Sequence, residues 1–448
     1  MVVGRMKSSN HMNISRRIAV FFGLLVGALL LAACDGVTLP QSPLLAQFER
    51  KSGLIVFVGL DGNIYTMNQG GEDIVPITED ATEAGASGEA NIYYYPVWAR
   101  DGKKLAYVGF HQAAEGTFET ALYTVDNDGS NNARVHSSGQ SAPFYVYWAP
   151  NGEQISFLSS GGSGGGMQMQ LVSVDGNSEA VVVDRAQPFY WAWLPDGKSL
   201  LGHTGGASEV NPKGASMWRY DVDSGQTHSL RLAPSFFQAP SISADGEKLA
   251  AAVVGSSGDP VLMVSDLDGL SQTELTEIDE RVAFDWSPQG DRLAYISGRS
   301  AGMGVVGQLK VFDLRNLETP KEIETETEEA IAFFWSPDGN RIAYFAPVII
   351  ENDSGDNVLI FQIYVLNARN GDSELIDTIQ PPEAFLSQII PFYDQYQRSA
   401  TIWSPDGRNL VINAQTGNNR PGIFILPADG SLEPRFVEHG TMAFWSWK

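Results

Sequence analysis

The sequence predicts an all-β protein, a single β-propeller built from four-stranded antiparallel blades. Three observations support this architecture. A short turn motif recurs along the chain, an apolar run follows each copy at a fixed offset, and the two chain ends supply complementary parts of one further unit. Composition agrees, because 46 glycines and 10% aromatic residues suit short strands joined by tight turns.

The repeated motif is an aromatic residue, a small residue, Pro or a substitute, then Asp or a similar residue and Gly. Pro fixes φ and Gly accepts positive φ, so a strand is expected to end at the aromatic residue and the next strand to return soon after it. An apolar residue stands seven positions after the start of every copy. The copies begin at Trp98, Trp148, Trp193, Ile242, Trp286, Trp335 and Trp403, and they are 44 to 50 residues apart except for the last interval of 68.

The chain ends predict how the ring closes. Residues 54–80 contain second, third and fourth strands without a first, and residues 442–447 supply a first strand that contains Trp445. Pairing the two removes the exposed sheet edge that an open array would leave. Eight blades are favoured, and seven are the alternative if the weak unit around Ile242 is absorbed into a neighbour. A β-sandwich does not explain the constant offset.

The aromatic residues of the motif are expected to pack neighbouring blades together, because each indole buries a large apolar area. They are interpreted as structural anchors rather than as binding residues. These anchors are Trp98, Trp148, Trp193, Trp286, Trp335, Trp403 and Trp445.

The N-terminus indicates export. Arg16 and Arg17 precede an uncharged apolar run, Ile18 to Ala33, which is short for a membrane-spanning helix. The run ends in Leu-Ala-Ala-Cys, which resembles the lipobox of bacterial lipoproteins and predicts lipidation of Cys34, the only cysteine. The expected division is a signal peptide over 1–33, a lipid-anchored tether over 34–50 and a propeller over 51–448. The predicted location is the outer face of the cytoplasmic membrane, or another periplasmic or cell-surface membrane.

One copy of the motif carries a family resemblance. Trp335-Ser336-Pro337-Asp338-Gly339, followed by Arg341-Ile342-Ala343-Tyr344, resembles the WD-like repeats of the TolB propeller, and the resemblance extends over about 51–448. It implies the fold but no single activity, because similar blades occur in peptidase propellers and in some pectin-fragment lyases. The chain departs from TolB in having no room for a separate N-terminal α/β domain and in having more units than the six expected of TolB.

Charge and motif content exclude several function classes. The formal charge is −24, and removal of the four basic residues before Cys34 would bring it to about −28, which disfavours nucleic acid as a partner. The letters of residues 161–165, Gly-Gly-Ser-Gly-Gly, match a nucleophile elbow but lie in a glycine-rich loop. The histidines of the mature chain stand singly. The sequence therefore predicts no catalytic residue, no cofactor and no metal site.

Paired aromatic residues depart from the repeat. They stand three and four positions before the anchors Trp98, Trp148 and Trp193, in stretches expected at one mouth of the central channel, and they are candidate ligand-binding residues. The expected function is non-catalytic binding of a protein, peptide or glycan. The alternatives are a lyase or hydrolase with its site at the channel mouth, or a structural subunit of an envelope complex. The candidate residues are Tyr94, Tyr95, Phe144, Tyr145, Phe189 and Tyr190.

Overall fold

The structure is a computed structural model that describes residues 51–83, 88–160, 166–176, 179–186, 189–206, 214–236, 238–301, 304–352 and 354–448. The predicted signal peptide, Cys34, the tether and the glycine-rich segment 161–165 lie outside the described residues. No helix in these ranges is both long enough and apolar enough to cross a membrane.

The described strands form seven antiparallel sheets, which are the blades of a single propeller. Blades 1 to 6 each contain the first residue of one motif copy, Ile242 in blade 4 and an anchor tryptophan in the others, and four successive strands, of which the strand with that residue, called the anchor strand, is innermost. Blade 1 is β4 (Ala90–Trp98), β5 (Lys104–Gln112), β6 (Phe118–Asp126) and β7 (Ala133–Ser138); blade 2 is β8 (Phe144–Trp148), β9 (Gln154–Ser160), β10 (Met167–Ser173) and β11 (Val181–Ala186); blade 3 is β12 (Phe189–Trp193), β13 (Ser199–Thr204), β14 (Ser216–Asp221) and β15 (Gln226–Ser229).

The next three blades follow the same order. Blade 5 carries one extra short strand on β22, and the anchor strand of blade 4 is only two residues long. Blade 4 is β16 (Ser241–Ile242), β17 (Lys248–Val254), β18 (Pro260–Asp266) and β19 (Thr273–Glu277); blade 5 is β20 (Arg281–Trp286), β21 (Arg292–Ala301), β22 (Gly304–Asp313) and β23 (Lys321–Ile323) with β24 (Glu329–Ala330); blade 6 is β25 (Ala332–Trp335), β26 (Arg341–Glu351), β27 (Asn357–Asn367) and β28 (Ser373–Ile379).

Blade 7 joins the two ends of the chain in a six-stranded sheet. Its order is β29, β30, β31, β1, β2, β3. The first half of β31 pairs with β30, and its second half pairs with β1 in the register Ile55↔Trp445. The strands are β29 (Asn409–Gln415), β30 (Pro421–Pro427), β31 (Arg435–Trp445), β1 (Ile55–Gly59), β2 (Ile64–Met67) and β3 (Val75–Pro76).

The favoured count of eight blades is therefore wrong, and the described strands give seven. The continuous strand β31 fuses the unit of Trp403 with the unit shared by the chain ends, because it pairs on both sides. In addition, the innermost strand of the Trp403 unit is reduced to the single bridge Trp403↔Leu410. The unit around Ile242, which the alternative count expected to be absorbed, keeps a sheet of its own.

The anchors link neighbouring blades by hydrogen bonds as well as by packing. The indole nitrogen of an anchor donates to the carbonyl oxygen of the residue that precedes the anchor of the previous blade. For example, Trp148 Nε1 lies 3.2 Å from the oxygen of Val97, which precedes Trp98. These indole hydrogen bonds form a ladder that links the innermost strand of each blade to that of the previous blade. Its other members are Trp98 to Phe444, Trp193 to Tyr147, Trp335 to Asp285 and Trp403 to Phe334.

The ladder is interrupted before Trp286. Its indole nitrogen is buried without a hydrogen-bond partner among the described residues. The preceding anchor position is occupied by Ile242, in the two-residue strand β16. The ladder thus loses one link after the repeat that departs from the motif in sequence, and it loses another at Trp445, whose indole nitrogen is likewise buried without a partner among the described residues.

Candidate functional site

The predicted aromatic pairs lie at the start of the innermost strands of blades 1 to 3. Phe189 and Tyr190 are buried, whereas the pairs in blades 1 and 2 are half-buried. Tyr95 and Tyr145 have φ of 53° and 52°, and each lies at an irregularity of the innermost strand. Left-handed backbone is costly for a bulky side chain, so other contacts must hold these two residues in place.

Those contacts come from the insertion between blades 6 and 7. Residues 385–399, called the plug below, form a π-helical turn (Phe385–Ile389), a 3-10 turn (Ile390–Phe392) and helix α1 (Tyr393–Ser399). Helix α1 contacts the innermost strands of blades 2, 3, 5 and 6, which places it in the central channel.

The local sequence favours a helix at this position. Proline stands at the beginning of the 3-10 turn, where its missing N–H costs no hydrogen bond. Asp394 lies in the first turn of α1 and Arg398 in the last, which complements the helix dipole. The side-chain amide of Gln395 hydrogen-bonds both backbone groups of Trp191. Its oxygen accepts from the Trp191 nitrogen at 3.0 Å, and its nitrogen donates to the Trp191 oxygen at 3.1 Å. The plug thus hydrogen-bonds the strand much as a neighbouring strand would.

The aromatic pairs and the plug form one packed cluster. The Tyr396 ring stacks on that of Tyr95 at 6.5 Å between centroids and lies 5.2 Å from that of Tyr145, which also contacts Phe392. The Tyr190 hydroxyl hydrogen-bonds the carboxyl of Asp394. Ligand binding by the aromatic pairs stays a prediction, and a ligand would have to displace the plug to reach the ring faces of Tyr95 and Tyr145 that it covers.

The buried charges of the plug are held by the surrounding blades. Arg398 donates to the carbonyl oxygens of Ala239 and Phe284 at 3.2 and 3.3 Å, and it lies 3.7 Å from the carboxylate of Asp285. Burial raises the pKa of Asp394, while the guanidinium of Arg398 acts in the opposite direction. One arginine therefore ties the plug to two blades.

The other end of the channel is open. It is the end where the turns of the repeated motif gather, and it contains a cavity of about 350 Å³, called the turn-end cavity below. Its inner end is closed by Gln397, Arg398 and Thr401 of the plug and the residues after it. The third position of the motif, usually Pro, supplies much of its wall: Arg100, Pro150, Pro195, Ala244, Pro288 and, in the chain-end unit, Trp447.

The polar groups of the turn-end cavity are few and specific. Arg100 stacks on Trp447 with its guanidinium carbon 3.7 Å from the ring centroid, and it donates to the carbonyl oxygen of Arg398 at 2.9 Å. Asp285 accepts a hydrogen bond of 2.6 Å from Ser241. Sequence reasoning missed this site because it treated all motif positions as structural. The signal was present in the third position, where Arg100, Ala244 and Trp447 replace Pro.

In the described ranges, no group of three or more His, Cys, Asp or Glu side chains could hold a metal ion. The buried histidine of blade 3, His203, hydrogen-bonds the carbonyl oxygen of Gln238 at 3.2 Å. Burial lowers the pKa of His203 to about 4, so its imidazole is neutral near pH 7.

No protein-family model matches the sequence, and no curated protein matches it. Several solved structures are similar in fold at low identity. An oligogalacturonate lyase in complex with manganese is 14% identical, with a TM-score of 0.49 over 84% of this chain and 97% of its own. TolB from Acinetobacter baumannii is 16% identical, with a TM-score of 0.36 over 81% and 85%. The β-propeller domain of the Trilobed protease from Pyrococcus furiosus is 14% identical, with a TM-score of 0.44 over 78% and 95%.

Proposed function

We propose that this protein is an exported, lipid-anchored β-propeller that binds a partner in the turn-end cavity and does not catalyse a reaction. The observation that carries the proposal is the contrast between the channel ends. The plug fills one end with buried contacts, whereas the other end remains a cavity of about 350 Å³ with aromatic, proline and charged walls. Cavities of this kind are the usual binding sites of folded proteins.

The charged groups of the turn-end cavity favour binding over catalysis. Asp285 is held by Ser241 and Arg398, and Arg398 is also engaged by two carbonyl oxygens. A general base needs a free lone pair directed at the substrate, and a nucleophile needs such a base beside it. The described lining residues include no histidine and no lysine, and the only carboxylate among them, Asp285, already accepts from Ser241.

Residue 52, which follows the predicted tether, lies at the same end of the channel as the cavity. The hydroxyl of Ser52 accepts a hydrogen bond of 3.1 Å from the backbone nitrogen of Asp406, in the turn after Trp403. A tether over residues 34–50 spans at most about 60 Å. In the proposal, a lipid on Cys34 holds the propeller within that distance of the membrane, and the expected partner lies at or near the membrane surface.

Site-specific photocrosslinking of the full-length protein in its native membrane tests the site. A photoreactive phenylalanine analogue at Ala244, an exposed residue of the cavity wall, should crosslink to a partner. The matched control is the same analogue at Ala114, an exposed residue of the turn after β5 at the other end of the channel. Crosslinks from position 114 with none from position 244 would place the binding surface elsewhere.

Mass spectrometry of the protein extracted from membranes tests the anchor. We expect a mature N-terminus at Cys34 that carries lipid, because a lipobox-like sequence precedes the only cysteine. An intact N-terminus before residue 34 would remove the lipid anchor from the proposal and leave the binding site untouched.

A further inference from the structure

Arg100 is an unusual residue of the turn-end cavity. It occupies the third motif position, where most copies have Pro, and its guanidinium carbon lies over the Trp447 ring, 3.7 Å from the centroid. Among the described residues no carboxylate lies within ion-pair distance of it, and its hydrogen bond goes to the carbonyl oxygen of Arg398. The formal charge of the chain is −24, so an arginine held without an acidic partner calls for an explanation.

Two further donors of lining residues lack a partner, but both are buried behind the cavity surface. The amide nitrogen of Gln397 and the indole nitrogen of Trp286, both from lining residues, have no acceptor among the described residues. The accessible carboxylate of the wall, Asp285, already accepts from Ser241 and lies beside Arg398. A ligand that complements the guanidinium of Arg100, which has no acidic partner among the described residues, must bring acceptors, and a planar carboxylate fits the fork of a guanidinium held over an aromatic ring.

We infer that the turn-end cavity binds the C-terminal carboxylate of a polypeptide through Arg100, an inference that rests on the proposed binding function. The cavity is closed at its inner end by the plug, so a chain cannot pass through it and a chain end suits it better than an internal segment. Its volume of about 350 Å³ lies near the lower limit of ligand pockets, which suits the last residues of a chain.

The wall of the cavity favours an apolar last residue over a sugar. Pro150, Pro195 and Pro288 present aliphatic rings. The indoles of Trp193 and Trp335 are only 4% and 9% exposed, and Arg100 covers one face of Trp447. A sugar ring would therefore find no open aromatic face to stack on, whereas an apolar side chain could bury its surface against the prolines.

Calorimetric titration of the full-length protein in detergent provides the test. The probes are N-acetylated tripeptides that end in Leu with a free carboxylate, the same tripeptides as C-terminal amides, and digalacturonate. The free acids should bind at least about ten-fold more tightly than the amides. Equal binding of acids and amides, or binding of digalacturonate without binding of the peptides, would overturn the inference.

Arg100→Gln removes the charge but keeps a donor for the carbonyl oxygen of Arg398, so the fold should be retained. It should weaken binding of the free acids by about ten-fold or more. The control is Arg420→Gln, which alters an exposed side chain at the other end of the channel and should change nothing. If Arg100→Gln does not fold, Arg100→Lys keeps the charge without the fork and should still lose affinity; unchanged affinity in either folded variant contradicts the inference.

The crosslinking experiment separates this inference from the proposed function. Crosslinks at Ala244 together with unchanged binding by Arg100→Gln would refute the carboxylate contact and leave the cavity as the binding site. Absence of crosslinks at Ala244 together with carboxylate-dependent peptide binding would instead refute the proposed membrane partner.

Discussion

The two ends of the central channel are made from the same repeated strand, yet one is filled and the other is open. At the filled end, aromatic residues three positions before the anchors pack on the plug, as Tyr95 and Tyr145 pack on Tyr396. At the open end, residues two positions after the anchors line a cavity, as Arg100 and Pro195 do. Departures from the repeat therefore differ in outcome. The aromatic residues at the filled end pack against the plug of the same chain, whereas Arg100 at the open end lines a cavity.

The largest expected effect concerns the residue that joins the two ends. Arg398→Met would leave two carbonyl oxygens without their donor and Asp285 without its cation, and we expect a loss of about 4 kcal/mol in the free energy of unfolding. Urea unfolding measures it. Arg408→Met is the control, because the Arg408 side chain is 72% exposed. Equal losses in the two variants would show that the plug is not held by Arg398.

A pH-dependent effect of similar size belongs to the filled end. Burial lowers the pKa of His203 to about 4 from an ordinary 6.5, so the unfolded chain binds more protons between these values. The contribution of His203 to stability is complete above pH 6.5 and falls as the pH drops toward 4, by about 3 kcal/mol. Between pH 7 and pH 4.5, the free energy of unfolding should therefore fall less steeply with pH in His203→Gln than in the parent. The exposed His228 offers the control, since His228→Gln should follow the parent curve.

Backbone strain at the filled end gives a smaller effect with an unusual sign. Tyr145→Ala should cost about 2 kcal/mol through lost contacts with the plug. Tyr145→Gly should be about 1 kcal/mol more stable than the Ala variant, because glycine relieves the positive φ of 52°. In an ordinary strand the glycine variant would instead be less stable than the alanine variant. A Gly variant less stable than the Ala variant would show that the left-handed backbone is not retained.

The smallest effect tests the indole ladder. Trp148→Phe and Trp286→Phe remove similar buried surface, but only Trp148 has a described acceptor for its indole nitrogen, the oxygen of Val97. We expect Trp148→Phe to lower the free energy of unfolding, measured by thermal unfolding, by about 1 kcal/mol more than Trp286→Phe does. Identical losses would mean that the anchors act by packing alone.

Local sequence determined most of the architecture. A Pro-Asp-Gly turn after an aromatic residue dictates a hairpin wherever it occurs, as at Gly339, whose φ is 62°. Repetition of that hairpin at nearly constant spacing predicted the propeller, and the split unit predicted that the first strand would pair with the last, which the structure shows in the register Ile55↔Trp445. The hairpins depend on neighbouring residues, and the split unit needs only a comparison of the two chain ends with the repeat, so one sequence sufficed to find both.

Tertiary structure decided what the sequence left open. The blade count changed because β31 pairs with β30 along one edge and with β1 along the other. Local sequence does not indicate whether a strand will hydrogen-bond along both edges. The aromatic pairs and the segment 385–399 are distant in sequence, and only the ring brings Tyr145 to Tyr396. Arg100 could be identified as a departure from the motif, but its position on Trp447, at the opposite end of the chain, follows from ring closure. Contacts between residues so far apart depend on the whole fold rather than on any local pattern.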